Sequence, residues 1–176
     1  MQGIHHLTAN TINPIAESLM RHQPSHHHPS IVESPAEPAW DHQKFIRALQ
    51  TRATRKKKII LVAEDNASQR EIAKCTLKEE YKVVVASHGF EVLELYNAWA
   101  PDLVLLDILM PHMDGVSALK RIIAADPAAH VVMFSTLSSE EMVKIAIKLG
   151  AKSFVTKPFT SQTIIGHVRR TLKEHR

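Results

Sequence analysis

Short apolar runs alternate with segments of helical period along residues 59–176. The apolar runs are IILVAE (59–64), KVVVAS (82–87), DLVLLD (102–107), HVVMFS (130–135) and SFVTKP (153–158). The helical segments begin near Ser68, Phe90, Val116, Glu140 and Thr160. Strands that alternate with helices are typical of parallel sheets, and strands buried on both faces need no polar alternation. The pattern predicts an α/β domain with a doubly wound, five-stranded parallel sheet flanked by five helices.

The region before residue 58 has a different pattern. Residues 1 to about 38 are rich in His, Pro, Ser and Asn without sustained periodicity, so we expect them to be mostly disordered. Apolar residues of segment 40–50 fall near one face at helical spacing, with basic residues elsewhere. We therefore divide the chain into an N-terminal extension (1–57), with a short basic amphipathic helix at 40–50, and a folded domain (58–176).

The balance of positive and negative charge differs between nearly the same two regions. Residues 1–58 carry 8 Lys or Arg against 4 acidic residues, whereas residues 59–176 carry 14 of each. The excess of positive charge therefore lies in the extension, where it could contact nucleic acid or an anionic membrane surface. A solvated linker next to the domain is the simpler interpretation.

Cysteine content and hydropathy limit the class of protein. Cys75 is the single cysteine, which excludes an intrachain disulfide and a paired-thiol metal or redox site. No apolar run approaches the roughly 18 residues of a membrane span, and the N-terminus lacks the apolar core of a signal peptide. We expect a cytoplasmic protein.

Residues with useful chemistry follow four of the five predicted strands. They are Glu64, Asp65, Asp107, Ser135, Thr136 and Lys157. Parallel strands place their carboxyl ends on one edge of the sheet, so these side chains should converge there. Crowded acids need a cation between them, and an oxygen ligand set suits Mg²⁺, which would keep Asp107 ionised as a nucleophile. With Lys157 to pair with an incoming anion and Ser135 to hydrogen-bond it, the edge favours phosphoryl transfer onto a carboxylate.

Each of these residues also has a plainer explanation. Glu64-Asp65 could belong to a helix start capped by Asn66 or Ser68, and Ser138 followed by Glu141 has the spacing of a capping box. A lysine before a proline could be an ordinary surface residue. These explanations do not predict convergence on one edge.

The sequence resembles response-regulator receiver domains of two-component signalling, of the single-domain, chemotaxis type, over about residues 57–176. The resemblance rests on the acidic pair Glu64-Asp65, the block DILMPHMDG that begins at Asp107, the hydroxyl Ser135, the aromatic Phe154 and the pair Lys157-Pro158. It implies the strand order 2-1-3-4-5.

The resemblance also implies roles for individual residues. Asp107 would accept a phosphoryl group from a phosphohistidine on a sensor histidine kinase or a histidine phosphotransfer protein. The ligands of Mg²⁺ would be Glu64, Asp65, Asp107 and the backbone carbonyl of Leu109. The protein would then be a phosphoacceptor rather than an enzyme in the usual sense, although it would catalyse its own phosphoryl transfer.

A switch is implied as well. Lys157 would neutralise the added charge and Ser135 would hydrogen-bond it, while Phe154 turns into the space that Ser135 vacates. The fourth and fifth helices of the alternating part, with the fifth strand, would present a changed surface to a downstream target. The family's Lys157-Pro158 peptide bond is typically cis.

Several positions depart from the commonest family residues. The acidic pair is Glu-Asp rather than Asp-Asp, Ser135 replaces a frequent Thr, and Phe154 replaces a frequent Tyr. Apolar Leu109 and Leu137 flank the path of attacking water, so we expect slow autodephosphorylation. Thr136 is bulkier than the usual Ala or Gly and should hinder small phosphodonors.

Other functions fit less well. A haloacid-dehalogenase phosphatase needs a second Asp at position 109, where this chain has Leu, and a flavodoxin-like carrier needs a phosphate-cradling loop after the first strand. The surviving alternative is a phosphorylation-independent docking module of the receiver type, whose basic N-terminal arm contacts a partner or nucleic acid.

Overall fold

The computed structural model describes residues 40–136 and 139–173. The expectation of disorder for residues 1–38 and the expectations placed on Leu137 and Ser138 therefore lie outside the described residues. Within these two ranges, no helix combines the length and the apolar character that a membrane crossing requires.

Five parallel strands form one sheet in the order β2-β1-β3-β4-β5, which confirms the predicted fold. The strands are β1 (Ile59–Ala63), β2 (Lys82–Ala86), β3 (Leu103–Asp107), β4 (Val131–Ser135) and β5 (Ser153–Thr156). Every residue of β1, β3 and β4 is buried. Their uninterrupted apolar sequences are thus explained by their central position, between helices on both faces of the sheet.

Within the described residues, six helices accompany the sheet. They are α1 (His42–Arg52), α2 (Ala67–Leu77), α3 (Gly89–Trp99), α4 (Gly115–Ala125), α5 (Glu140–Lys148) and α6 (Ser161–Lys173). The last five are the helices that the alternating pattern predicted, and each of their first residues lies within one position of the predicted one. Asn66 caps α2, which is one of the two alternatives considered for that helix start, and Ser139 caps α5.

One apolar core lies between the sheet and the pair α2 and α6. It is formed by alternate residues of the strands, among them Val62, Leu105 and Phe134, packed against Leu77 of α2 and Val168 of α6. Successive residues of a strand point to opposite faces, so the other buried strand residues face the layer that contains α3 and α4. Both faces of the sheet are therefore covered.

Helix α1 packs against α3 through aromatic side chains. Phe45 and Ala48 of α1 are buried. The Phe45 ring centroid lies 5.8 Å from that of Tyr96 and 5.0 Å from that of Trp40, within the range of favourable ring contacts. The amphipathic pattern of segment 40–50 thus corresponds to a helix whose apolar face is occupied.

Ion pairs hold the end of α1 and the segment that follows it. Arg52 Nη2 donates to Asp126 Oδ2 at 2.9 Å, and the Tyr96 hydroxyl donates to the same oxygen at 2.7 Å. The buried carboxylate of Asp102 accepts from Ile59 N at 2.8 Å and pairs with Arg55 and Lys58. These contacts join residues 52–59 to the start of β3 and to the end of α4.

The burial of Phe45 predicts that α1 contributes to the stability of the domain. Replacing Phe45 with Ala removes a buried ring and should lower the free energy of unfolding by about 3 kcal/mol, measured by urea denaturation. The matched control is Ile46→Ala on the same helix, where the side chain is 54% exposed and the loss should stay below about 0.5 kcal/mol. Equal losses for the two variants would show that α1 does not dock as described.

Candidate functional site

The predicted site residues lie together at the carboxyl edge of the sheet. Glu64 follows β1, Asp107 ends β3, Ser135 ends β4 and Lys157 follows β5. Because β1, β3, β4 and β5 are consecutive neighbours in the sheet, their ends are adjacent. Glu64, Asp107 and Ser135 are buried, whereas Asp65 is exposed. The site thus consists of buried polar side chains, with solvent access on the side of Asp65.

A single ammonium group joins the two buried carboxylates. Lys157 Nζ donates to Glu64 Oε2 and to Asp107 Oδ2, each at 2.6 Å, and its side chain is only 7% exposed. Burial raises the pKa of the Glu64 carboxyl, while the hydrogen bond and charge of Lys157 oppose that rise. The ammonium also lies 4.9 Å from the ring centroid of Phe134, a cation–π contact.

The three acidic residues form a group that could hold a metal ion. One carboxylate oxygen from each of Glu64, Asp65 and Asp107 lies within 4.8 Å of the other two. Three oxygen ligands with a solvent-facing side fit a hard divalent cation such as Mg²⁺, which uses a few carboxylates and keeps several waters. The donor set therefore fits the predicted metal, and within residues 40–136 and 139–173 the cation that pairs with Glu64 and Asp107 is Lys157.

The loop after β3 is built around the carbonyl of Asp107. Asp114 caps α4 by accepting from Ser117 N at 2.9 Å, and Gly115 N donates to Ile108 O at 2.9 Å. A Cβ atom on Gly115 would lie 1.8 Å from the Asp107 carbonyl oxygen, so only glycine fits here. The Asp-Gly pair of the motif thus starts the helix while leaving room for the strand that ends in Asp107.

The two residues assigned to the switch, Ser135 and Phe154, differ in burial. Ser135 is fully buried, and its carbonyl accepts from Lys157 N at 2.9 Å. Phe154 lies in β5 opposite Met133 and is partly buried. The Lys157-Pro158 peptide bond is cis, as the resemblance implied.

Two departures from the usual family residues lie at the surface. Leu109 is 47% exposed, and its backbone N donates to Asp107 Oδ1 at 3.3 Å. Thr136 is exposed and helps to line a cavity of about 320 Å³ beside Lys157. Leu109 therefore presents a partly exposed apolar side chain two residues after the candidate phosphoacceptor.

Two further residues support the site, and neither was predicted from the sequence. Arg70 Nη1 donates to the carbonyl oxygens of Glu64 at 2.6 Å and Asp65 at 3.0 Å, which fixes the turn that carries the acidic pair. Phe134 supplies the ring near Lys157. The sequence signal for Arg70 is a cation in the first turn of the helix that follows an acidic pair, whereas Phe134 looks like any other core residue.

Comparisons with known proteins agree with this geometry. A profile of the response regulator receiver domain matches residues 60–169. The chain is 40% identical over 115 residues to the chemotaxis protein CheY of Bacillus subtilis (strain 168), which covers 64% of this chain and 96% of that protein. It is 34% identical over 116 residues to CheY of Halobacterium salinarum, covering 65% of this chain and 97% of the relative.

Solved structures give the same result. A CheY-like receiver domain protein from Methanospirillum hungatei JF-1 superposes with a TM-score of 0.66 at 25% identity, covering 68% of this chain and 97% of that one. The receiver domain of the Francisella response regulator 1452 gives a TM-score of 0.64 at 30% identity, covering 68% and 99%. The fold and the acidic edge are those of a receiver domain. This chain belongs to the response regulator receiver domain family, which confirms the resemblance drawn from its sequence.

The contact between Gly115 and Asp107 gives a stability prediction. Gly115→Ala forces the added Cβ against the backbone of Asp107, so we expect the free energy of unfolding to fall by about 2–3 kcal/mol. The matched control is Gly166→Ala in α6, where a Cβ meets nothing within 4 Å and helix propensity should raise stability by about 0.5–1 kcal/mol. Chemical denaturation of both variants measures the difference, and a neutral Gly115→Ala would contradict the described contact.

Proposed function

We propose that this protein is a phosphoacceptor in a two-component phosphorelay. In this proposal Asp107 accepts a phosphoryl group from a phosphohistidine of a sensor histidine kinase or a histidine phosphotransfer protein. The observation that supports it most directly is the position of the Asp107 carboxylate at the end of β3, where it accepts from the Lys157 ammonium and lies beside the other two acids. This arrangement holds the carboxylate in an ion pair at an edge that a donor can reach.

The residues that would hold Mg²⁺ are Glu64, Asp65 and Asp107, together with the backbone carbonyl of Leu109. When bound, the ion would neutralise the negative charge that the transferred phosphoryl group brings to this edge. Asp65 is the exposed member of the set, so it marks the side from which ion and donor would enter.

The transfer exchanges one bond for another at phosphorus. An Asp107 carboxylate oxygen attacks the phosphorus, the bond from phosphorus to the histidine nitrogen breaks, and the electron pair of that bond stays with the imidazole of the donor. Lys157 already contacts Asp107, so its ammonium is in place to pair with a phosphoryl oxygen after transfer. The protein thereby catalyses its own modification and does not act as a classical enzyme.

The added charge would act as a switch through Ser135 and Phe154. Ser135 ends the strand next to β3, so a small inward movement would bring its hydroxyl to the phosphoryl group. Phe154 in β5 would then turn inward and change the surface formed by α5, β5 and α6, which a downstream target protein would recognise. We place this exchange in the cytoplasm, where kinases of this class present their phosphohistidine.

A second candidate function is docking without phosphorylation. In that case α1 and the basic residues around it contact a partner or nucleic acid, and the acidic edge is inactive. The ion pair of Lys157 with Asp107 makes this candidate weaker, since a domain used only for docking has no need of a buried, charged edge.

Phosphorylation can be tested directly. With Mg²⁺ and a phosphorylated histidine kinase as donor, the protein should gain one phosphoryl mass by intact-protein mass spectrometry, and Asp107→Asn should gain none. Removal of Mg²⁺ with EDTA should also prevent labelling. Acetyl phosphate should label more slowly than the kinase because Thr136 narrows access for small donors.

The control is Glu94→Gln, which removes an exposed carboxylate away from the edge and should label like the wild type. Labelling of Asp107→Asn to the wild-type level would rule out Asp107 as the acceptor. A wild type that binds Mg²⁺ but takes no label from either donor would favour the docking function.

The exposed side chain of Leu109 predicts a long-lived phosphoaspartate. An apolar group beside Asp107 cannot orient the water that hydrolyses the acyl phosphate, so Leu109→Asn should shorten the phosphate half-life severalfold. Loss of phosphoryl mass with time measures the half-life. Leu109→Met keeps the apolar character and should leave it nearly unchanged, whereas an equal effect of both variants would contradict the proposed role.

A further inference from the structure

A basic cleft lies at the edge of the sheet opposite to Asp107. It has a volume of about 710 Å³ and is bordered by α1, by the segment before β1 and by the start of the edge strand β2. Its cationic lining residues are Lys44, Arg47, Arg55, Lys57 and Lys82. The acidic member of the lining is Asp41, whose carboxylate already accepts from Lys44 N at 2.9 Å as the cap of α1. The cleft therefore has a large excess of positive charge.

The two cations of α1 that line this cleft are available to a ligand. Among the described residues, no carboxylate lies within ion-pair distance of the Lys44 or Arg47 side chains, and both residues are exposed. Arg55, in contrast, already pairs with Asp102, and Lys57 Nζ donates to the carbonyl of Lys78. The side chains of Arg55 and Lys57 are thus held by contacts within the domain, whereas Lys44 and Arg47 have no carboxylate partner among the described residues.

An aromatic surface lies beside the charges. Trp99, at the end of α3, lines the cleft and is 39% exposed, so part of its indole ring faces solvent. The Lys82 ammonium lies 3.7 Å from the centroid of its ring. An ammonium next to a partly exposed indole can contact a phosphate and a base of the same ligand.

We propose that this cleft binds a ligand that carries several phosphate groups and a base. Lys and Arg are the usual partners of phosphate, and the volume falls within the ~300–1000 Å³ of small-ligand sites. Such a ligand is either a free nucleoside triphosphate or the end of a single-stranded nucleic acid. The concave shape favours both over a flat membrane surface. The inference does not depend on phosphorylation of Asp107, because the cleft lies at the opposite edge of the sheet.

Fluorescence anisotropy on the full chain tests the proposal. The probes are a fluorescent ATP analogue and a short, fluorescently labelled single-stranded oligonucleotide, each in buffer with EDTA so that the acidic edge cannot recruit a magnesium–nucleotide complex. Binding should weaken as salt rises. Arg47→Glu and Lys82→Glu should each raise the Kd about tenfold, equivalent to about 1.4 kcal/mol, and Trp99→Leu should also weaken binding.

The matched control is Lys120→Glu, which makes the same change of net charge at an exposed residue of α4 and should alter the Kd less than twofold. Asp107→Asn should bind like the wild type, which separates this site from the phosphoacceptor. Tight binding of the ATP analogue alone supports a free nucleotide as the ligand. Tight binding of the oligonucleotide alone supports the end of a single-stranded nucleic acid as the ligand. Binding of both probes supports recognition of the phosphates and base that the two ligands share.

Four results would overturn the proposal. The first is that neither probe binds. The second is that Lys120→Glu weakens binding as much as Arg47→Glu, which would mean a diffuse charge effect. The third is that inorganic tripolyphosphate competes as well as ATP while Trp99→Leu has no effect, which would remove the base from the recognition. The fourth is that vesicles containing phosphatidylserine bind through the same residues while both nucleotide probes fail.

Discussion

The ion pair of Lys157 with Glu64 and Asp107 is the interaction on which the candidate site depends. Two buried carboxylates cannot stay charged side by side without a positive partner, and the loss of one member of such a group leaves an uncompensated buried charge. The ammonium reaches both oxygens only because β5 lies at the end of the order β1-β3-β4-β5 with its carboxyl end on the same edge. The charge balance of the site therefore depends on the order and register of the strands.

Most of this architecture follows from local features of the sequence. The runs IILVA and LVLL are apolar throughout, as central parallel strands must be, and each is followed directly by an acidic residue. Asn66 offers the side-chain oxygen that α2 needs at its start. The need for glycine at position 115 also follows from the nearby sequence, because a strand end, a turn and a helix start within nine residues bring two backbone segments together.

What the sequence could not predict depends on contacts between distant residues. The pattern of segment 40–50 shows an apolar face but not the surface that the face covers, and Tyr96 is an equally ordinary core residue on its own helix. Arg52 pairs with Asp126, which lies 74 positions further along the chain, and no local signal relates the two. Arg70 likewise donates to backbone carbonyls. Every residue has a carbonyl, so the sequence does not show which of them Arg70 contacts.

The ion pairs of Asp102 determine where this domain physically begins. The region shared with the family starts at residue 60, yet Arg55, Lys58 and Ile59, which satisfy this buried carboxylate, all come before it. A fragment cut at the shared boundary would keep the acid and discard its partners, and it would also uncover the ring of Tyr96. The smallest fragment suited to crystals or spectroscopy therefore starts no later than Trp40, so similarity to relatives alone would choose too short a piece.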